Sequence, residues 1–117
     1  MCIYTYDMKK IHTRIEAANA CVEILDTDFF RALSEPVRVQ IFRTIILNGR
    51  SDVGAISKDL PQDRSVIARH LQTMERAGLV HSQTEGRHTY YEIAGENIVT
   101  RIKSISDLIH TLVPLCC

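Results

Sequence analysis

Seven polar side chains recur on one side of a helical repeat between Asp63 and Gly78: Arg64, Ser65, Arg69, His70, Gln72, Thr73 and Arg76. The other side carries Val66, Ile67, Leu71 and Met74 at helical spacing. A helix divided in this way docks by its apolar side and presents cations and hydrogen-bonding groups on the other. The edges of bases in a DNA major groove select for that chemistry. Guanidinium groups suit guanine edges and phosphates, and short hydroxyl and amide groups suit the remaining edges. The solvated face of an ordinary helix has a similar composition, so the surrounding chain must decide between the two. The pattern predicts Asp63 as an N-cap whose carboxylate accepts from first-turn N–H groups. It predicts Gly78 as the left-handed residue that ends the helix.

After Gly78 come two short runs rich in β-branched and aromatic residues, Leu79 to Thr84 and His88 to Ile93, separated by Glu85-Gly86-Arg87. Such a pattern predicts a β-hairpin. A helix followed by a hairpin with a basic tip is the order of a winged helix-turn-helix. It places Arg87 and His88 for the phosphate backbone or the adjacent minor groove. A hairpin that only covers the core would look much the same.

The elements that must position this helix can be followed along the chain. From Met8 a first helix is expected, with Ile11, Ile15, Ala18, Val22, Leu25 and Phe29 forming a heptad-like seam. Asp26-Thr27-Asp28 breaks it before a short helix from Phe29 to about Leu33. Pro36 suits the first turn of a third helix capped by Ser34 or Glu35, with Val37, Ile41, Ile45 and Ile46 inward and Asn48-Gly49 as its stop. Ser51 is the expected N-cap of a fourth helix, Asp52 to Leu60, with Val53, Ile56 and Leu60 on the core side. Pro61-Gln62 is then the turn of a helix-turn-helix. A last helix runs from about Glu96 to Val113 with a second seam of Ile98, Ile102, Ile105, Ile109 and Leu112. Two seams exceed what one small core needs. They predict that the first and last helices meet at a twofold dimer interface, unless both seams cover the core of a monomer.

Several segments together resemble the ArsR/SmtB family of small dimeric bacterial repressors. They are Ala32-Leu-Ser-Glu-Pro-Val-Arg-Val-Gln-Ile-Phe42, Ser65-Val-Ile-Ala-Arg-His-Leu71, Ala77-Gly-Leu-Val80 and Glu85-Gly-Arg-His-Thr-Tyr-Tyr91. The likeness runs from about Phe29 to Ile93, in the family's order and spacing. It implies a mainly α fold with a β-hairpin wing, homodimerisation, binding to a palindromic operator in double-stranded DNA, and release of DNA on binding an effector. Under this reading the chain is a single domain. It has an N-terminal dimerisation helix at 8–28, a DNA-binding core at 29–93, and a C-terminal dimerisation helix with a Cys-Cys tail at 94–117. Arg64, Ser65 and Arg69 would read the major groove, Gln62, His70 and Thr73 would meet phosphates or base edges, and Arg87 would act from the wing. A dimer also suits the geometry, because two recognition helices one turn apart match a palindrome.

Where members of the family carry Cys-x-Cys before the recognition helix, this chain has Ser51-Asp-Val-Gly-Ala-Ile56, without a thiol. Where zinc-binding members pair Asp, His, His and Glu across their last helices, only Asp107 and His110 stand here. They could form a four-ligand site across a dimer axis or be an ordinary surface pair. Four thiols remain, Cys2, Cys21, Cys116 and Cys117. In a cytosolic protein thiols are reduced unless they sense or ligate. Cys21 could equally be a small buried apolar group. The vicinal Cys116-Cys117 pair suits a large soft ion better than tetrahedral zinc. Trivalent arsenic takes three thiolates in a pyramid, so Cys116 and Cys117 with Cys2 or Cys21 would hold arsenite. A disulfide from the tail to Cys2 or Cys21 is the competing use, while one within Cys116-Cys117 would be strained. The tail thiols could also be incidental.

Composition limits the remaining classes. A chain of 117 residues with 45% hydrophobic and 24% charged residues is globular and of one-domain size. No run approaches a membrane span, so no membrane partner is expected. Lys9 and Lys10 are followed by no apolar leader core, which points to a cytoplasmic protein. Formal net charge is zero. Even so, Arg31, Arg38, Arg43 and Arg50 stand against Glu35 alone between Phe29 and Arg50, which predicts a dipolar surface and salt-sensitive DNA affinity. No Gly-rich phosphate loop, paired carboxylates or nucleophilic triad is present, so an enzyme and an obligatory cofactor are not expected. A winged helix used only for protein contact is the alternative from another class.

Overall fold

Pro36 has no N–H to leave unsatisfied and sits at the start of a helix, Pro36–Asn48, that Glu35 caps by accepting from the Arg38 N–H at 3.1 Å. The computed structural model describes residues 13–116, with side chains as far as Pro114. Its elements are α1 (Arg14–Leu25), α2 (Asp28–Leu33), α3 (Pro36–Asn48), β1 (Ser51–Asp52), α4 (Val53–Lys58), α5 (Arg64–Arg76), β2 (Val80–Glu85), β3 (His88–Ile93) and α6 (Gly95–Cys116). The fold is mainly α with a small antiparallel sheet. No helix among the described residues is long and apolar enough to cross a membrane. By compactness, α1 and α6 fall in one unit and the elements from α2 to β3 in another.

In the α2-to-β3 unit, α5 packs against α2, α3, α4 and β2. Ile67, Leu71 and Met74 on α5 have no exposed surface, and Phe29, Ile41, Ile45, Ile56, Leu79 and Val80 are buried with them. Each large apolar side chain removed from water contributes roughly 1.5–3 kcal/mol. On α3 the inward residues are Ile41, Thr44 and Ile45, with Val37 half-buried. Ile46, expected inward, is 61% exposed. At about 100° per residue Thr44 and Ile45 lie roughly 60° and 40° to either side of Ile41, whereas Ile46 lies roughly 140° from it and falls off the buried face.

The fourth helix departs from expectation at its start. Ser51 does not cap it. Ser51–Asp52 form β1, paired antiparallel with Tyr91 and Tyr90 of β3, and the three strands are ordered β1-β3-β2. Asp52 is the N-cap, its Oδ1 accepting from the Ala55 N–H at 2.8 Å. Ser51 Oγ instead donates to the Gly49 carbonyl at 2.7 Å. The β2–β3 hairpin is in register from Val80↔Ile93 to Glu85↔His88. Its two-residue loop has Gly86 at φ 62°, the conformation that a primed turn requires at its first central position.

In the α1–α6 unit, Thr13 caps α1 by accepting from the Glu16 N–H at 3.2 Å. The helix therefore starts at Arg14, and Ile11 lies outside the described residues. Of the expected seam, Ile15, Ala18, Val22 and Leu25 are exposed, while Ala17, Ala20 and Ile24 are buried. Phe29 is buried in α2 and is not a continuation of α1. On α6, Leu108 is buried and Ile98, Ile105 and Leu112 are half-buried. Val99, Ile102, Ile109 and Val113 are exposed, Val99 by 66%.

Candidate nucleic-acid interface

The outer face of α5 follows from its inner one. At about 100° per residue, Ser65, Arg69, Gln72 and Arg76 fall within roughly 60° of arc, opposite the buried residues. All four are exposed. The helix ends as its sequence requires. Gly78 has φ 82°, its N–H donates to the Glu75 carbonyl, and the Leu79 N–H donates to the Met74 carbonyl at 2.9 Å. This is a Schellman closure. At the other end Asp63 has the extended N-cap backbone, but its side chain makes no cap hydrogen bond. That expected bond is absent, so the first-turn N–H groups are not occupied by the Asp63 carboxylate.

The flanking residues divide by side. On one flank Arg64 lies against Gly54 of α4, where an added Cβ would come within 2.9 Å of Arg64 Nη2. Arg64, Ser65 and Ala68 with Asp52, Val53, Arg87, His88 and Thr89 line an open cleft of about 570 Å³ between α5 and the wing. Arg87 is exposed at the wing tip. His88 Nδ1 lies 3.1 Å from Asp52 Oδ2. The hydrogen bond from Ala55 holds the Asp52 carboxyl below its ordinary value; burial opposes it, and His88 and Arg64 add to the lowering.

On the other flank Thr73 and His70 are half-buried. Thr73 Oγ1 donates to the Arg69 carbonyl at 3.2 Å. His70 Nδ1 lies 3.4 Å from Arg38 Nη1 and 3.9 Å from Glu35 Oε2, so the imidazole turns toward the start of α3. Gln62, in the turn before α5, is also half-buried, and its Oε1 is buried without a partner.

Three residues that matter to this surface were not among the expected DNA contacts. Asp52 ties the wing to α4, Arg38 joins α3 to α5, and Tyr90 receives a cation. The Arg50 guanidinium carbon stands 4.0 Å above the Tyr90 ring, and Arg50 also pairs with Glu85. Arg50 thus braces the wing from the α3–β1 turn. Charge alone marked Arg38 and Arg50, whereas the pairing of β1 with β3 that brings Asp52 to His88 left no local signal.

The expected thiolate site falls largely beyond view. Cys2 and Cys117 lie outside the described residues, as does the side chain of Cys116, whose backbone closes α6. Cys21 is half-buried and unbridged on α1. Asp107 and His110 are both exposed on α6, with His110 Nδ1 2.8 Å from the Ser106 carbonyl. Among the described residues no group of three or more His, Cys, Asp or Glu side chains is placed to hold a metal ion.

No family model matches the sequence. It is 28% identical over 81 residues to an uncharacterized HTH-type transcriptional regulator of Methanocaldococcus jannaschii, covering 69% of this chain and 91% of the relative. It is 28% identical over 82 residues to the transcriptional activator HlyU of Vibrio cholerae, covering 70% and 71%. An uncharacterized HTH-type regulator of Mycobacterium tuberculosis is 30% identical over 74 residues, and the match spans 63% of this chain and 65% of that relative. Among solved structures, an ArsR-like transcriptional regulator from Rhodococcus superposes with a TM-score of 0.62 at 27% identity, covering 69% of this chain and 76% of that one. A structure described as a possible transcriptional regulator for arsenical resistance gives 0.60 at 25%, covering 68% and 82%. A homodimeric winged helix-turn-helix DNA-binding domain from Mycobacterium bovis, a possible ArsR-family regulator, gives 0.58 at 25%, covering 88% and 91%.

Proposed function

The chain belongs to the ArsR-type winged helix-turn-helix transcriptional regulators, and from that premise we propose that it is a homodimeric, cytoplasmic repressor that holds a palindromic operator and releases it when its thiols bind a thiophilic metalloid, with arsenite favoured. The observation that carries the DNA half is the division of α5. Ile67, Leu71 and Met74 are fully buried, while Ser65, Arg69, Gln72 and Arg76 project outward beside a wing whose tip carries Arg87. The apolar stripes left exposed on α1 and α6, Ile15, Val22 and Leu25 with Val99, Ile102, Ile109 and Val113, support the dimer. The Mycobacterium bovis neighbour is itself homodimeric.

The effector half rests on the vicinal Cys116-Cys117 pair and on soft-ion chemistry. The neighbour described for arsenical resistance supports it. A thiol redox switch is the second reading, favoured because Cys21 is unbridged and shares its compact unit with the last turn of α6. In that reading an added two-electron oxidant takes two electrons and two protons from a pair of thiols as the disulfide forms.

The test is binding of the reduced protein to duplex DNA from upstream of its own gene, titrated with arsenite and separately with peroxide. Release by arsenite that is lost in Cys116→Ser/Cys117→Ser is the expected result. Release by peroxide alone replaces metalloid sensing with the redox switch. Binding unmoved by either removes both effectors, and no specific binding at all favours a protein-contact module over the repressor.

A further inference from the structure

The flank of α5 that faces away from the wing holds a second basic pocket, of about 180 Å³, lined by Asp28, Arg31, Ala32, Arg38, Thr73 and Arg76. Three helices contribute its cations: Arg31 from α2, Arg38 from α3 and Arg76 from α5. Its charge is three guanidinium groups against the single carboxylate of Asp28, which lies 3.3 Å from Arg31 Nη1. Arg38 is held in place, its Nε donating to the Ala32 carbonyl at 2.8 Å and its Nη1 resting against His70. Arg76 Nη2 donates to Thr73 Oγ1 at 3.4 Å. Guanidinium forks match the oxygens of a phosphate group.

Position gives the pocket its meaning. On the α5 helical wheel Thr73 lies about 80° from Ser65 on one side, and Arg64 and Ala68 lie about 60–100° away on the other. The two basic recesses therefore flank the outward strip of Ser65, Arg69, Gln72 and Arg76. A helix in the major groove has a phosphate strand on each side of it. We propose that the Arg31–Arg38–Arg76–Thr73 pocket binds a phosphate group of the DNA strand opposite the one met by Arg64, Arg87 and the wing. Recognition is then a clamp across the groove, one strand per flank. The inference rests on the reading of α5 as the recognition helix. The shared ligand chemistry is a phosphate oxyanion, supplied by a backbone phosphodiester or by free phosphate.

Arg31 and Arg76 are the residues to change, since Arg38 also braces α2. Arg31→Gln, Arg76→Gln and the double variant are measured for duplex affinity across salt concentrations, with circular dichroism confirming the fold and Arg→Lys variants as the conservative controls. Each lost phosphate contact lowers the slope of log K against log salt by about 0.9. The double variant removes one phosphate contact from each subunit of the dimer, so it is expected to lose nearly two units of slope and to bind operator and unrelated duplex equally more weakly. Lys at both positions restores most of the slope. An unchanged slope, or a loss confined to operator sequence, overturns the proposal while an Arg69→Ala defect leaves α5 as the reader. Titration with inorganic phosphate, followed through the Arg Nε resonances, separates the sources: perturbation means the pocket also takes the free anion, and no perturbation with a reduced slope confines it to DNA. If the wild-type protein binds no duplex, the reading of α5 fails, and the phosphate titration alone sustains or overturns the pocket.

Discussion

His88 Nδ1 sits 3.1 Å from Asp52 Oδ2, so the tip of the wing is tied to the residue that caps α4. The two carboxylate oxygens have separate partners, Oδ1 accepting from Ala55 and Oδ2 facing His88. Asp52→Ala is expected to lower stability by about 1 kcal/mol through loss of the cap alone. Because the Asp52 carboxyl titrates below its ordinary value of 3.8, the folded state favours the ionised form. Its contribution is present in full above that ordinary value and disappears as pH falls through the lowered one. Urea unfolding of wild type and Asp52→Asn should therefore differ most near neutral pH and converge below about pH 3.8, the ordinary value. A gap that persists unchanged into acid would contradict the linkage.

Gly54→Ala separates stability from recognition. An alanine methyl on α4 would lie 2.9 Å from Arg64 Nη2. The obstructing atom is the end of a flexible side chain, so Arg64 moves and the backbone does not. Thermal unfolding should show no loss and a gain of up to about 1 kcal/mol, because alanine restricts the unfolded chain. Operator affinity should fall as the Arg64 guanidinium is displaced from the cleft. Equal DNA binding in the variant would mean that the position of Arg64 over Gly54 is irrelevant to recognition.

The period of α5 makes its inner face, its Gly78 closure and its outward polar strip legible in the sequence, because burial and C-terminal closure there are local. Glu35 and Pro36 were legible for the same reason. What stayed hidden depended on distant partners. Ser51 looked like a cap until its pairing with Tyr91 shifted that role to Asp52. His70 shared the polar face on paper, yet Glu35 and Arg38 of α3 draw it to the flank. On α1 the stepping of Ile15, Val22 and Leu25 marked a stripe that is exposed, while the buried positions are the small Ala17 and Ala20, which carried no such signal.

The buried side of α5 offers a plain test of the core. Leu71 is fully buried, and Leu71→Ala is expected to lower unfolding free energy by about 2–5 kcal/mol. Gln72→Ala, one residue away and exposed, should change it by less than about 0.5 kcal/mol. Chemical denaturation of the two variants distinguishes the faces, and comparable losses would deny that α5 is amphipathic in the folded protein.

The exposed stripes of the α1–α6 unit are the proposed dimer interface. Val22 is 60% and Ile102 47% exposed. Val22→Glu and Ile102→Glu should leave the fold intact by circular dichroism and shift sedimentation from dimer toward monomer. Operator affinity should fall with the loss of paired recognition helices. A dimer of unchanged strength in both variants would place the interface elsewhere.

The most direct measurement is fluorescence anisotropy of the reduced protein with its own upstream duplex, comparing wild type with Arg69→Ala. Arg69 is exposed on the outward strip, and its backbone carbonyl accepts from Thr73 Oγ1 at 3.2 Å. The expected result is an unchanged melting temperature, a loss of about 1–3 kcal/mol in operator binding and reduced preference for operator over unrelated duplex. Operator binding as tight and as selective as wild type would contradict the assignment of α5 as the element that reads DNA.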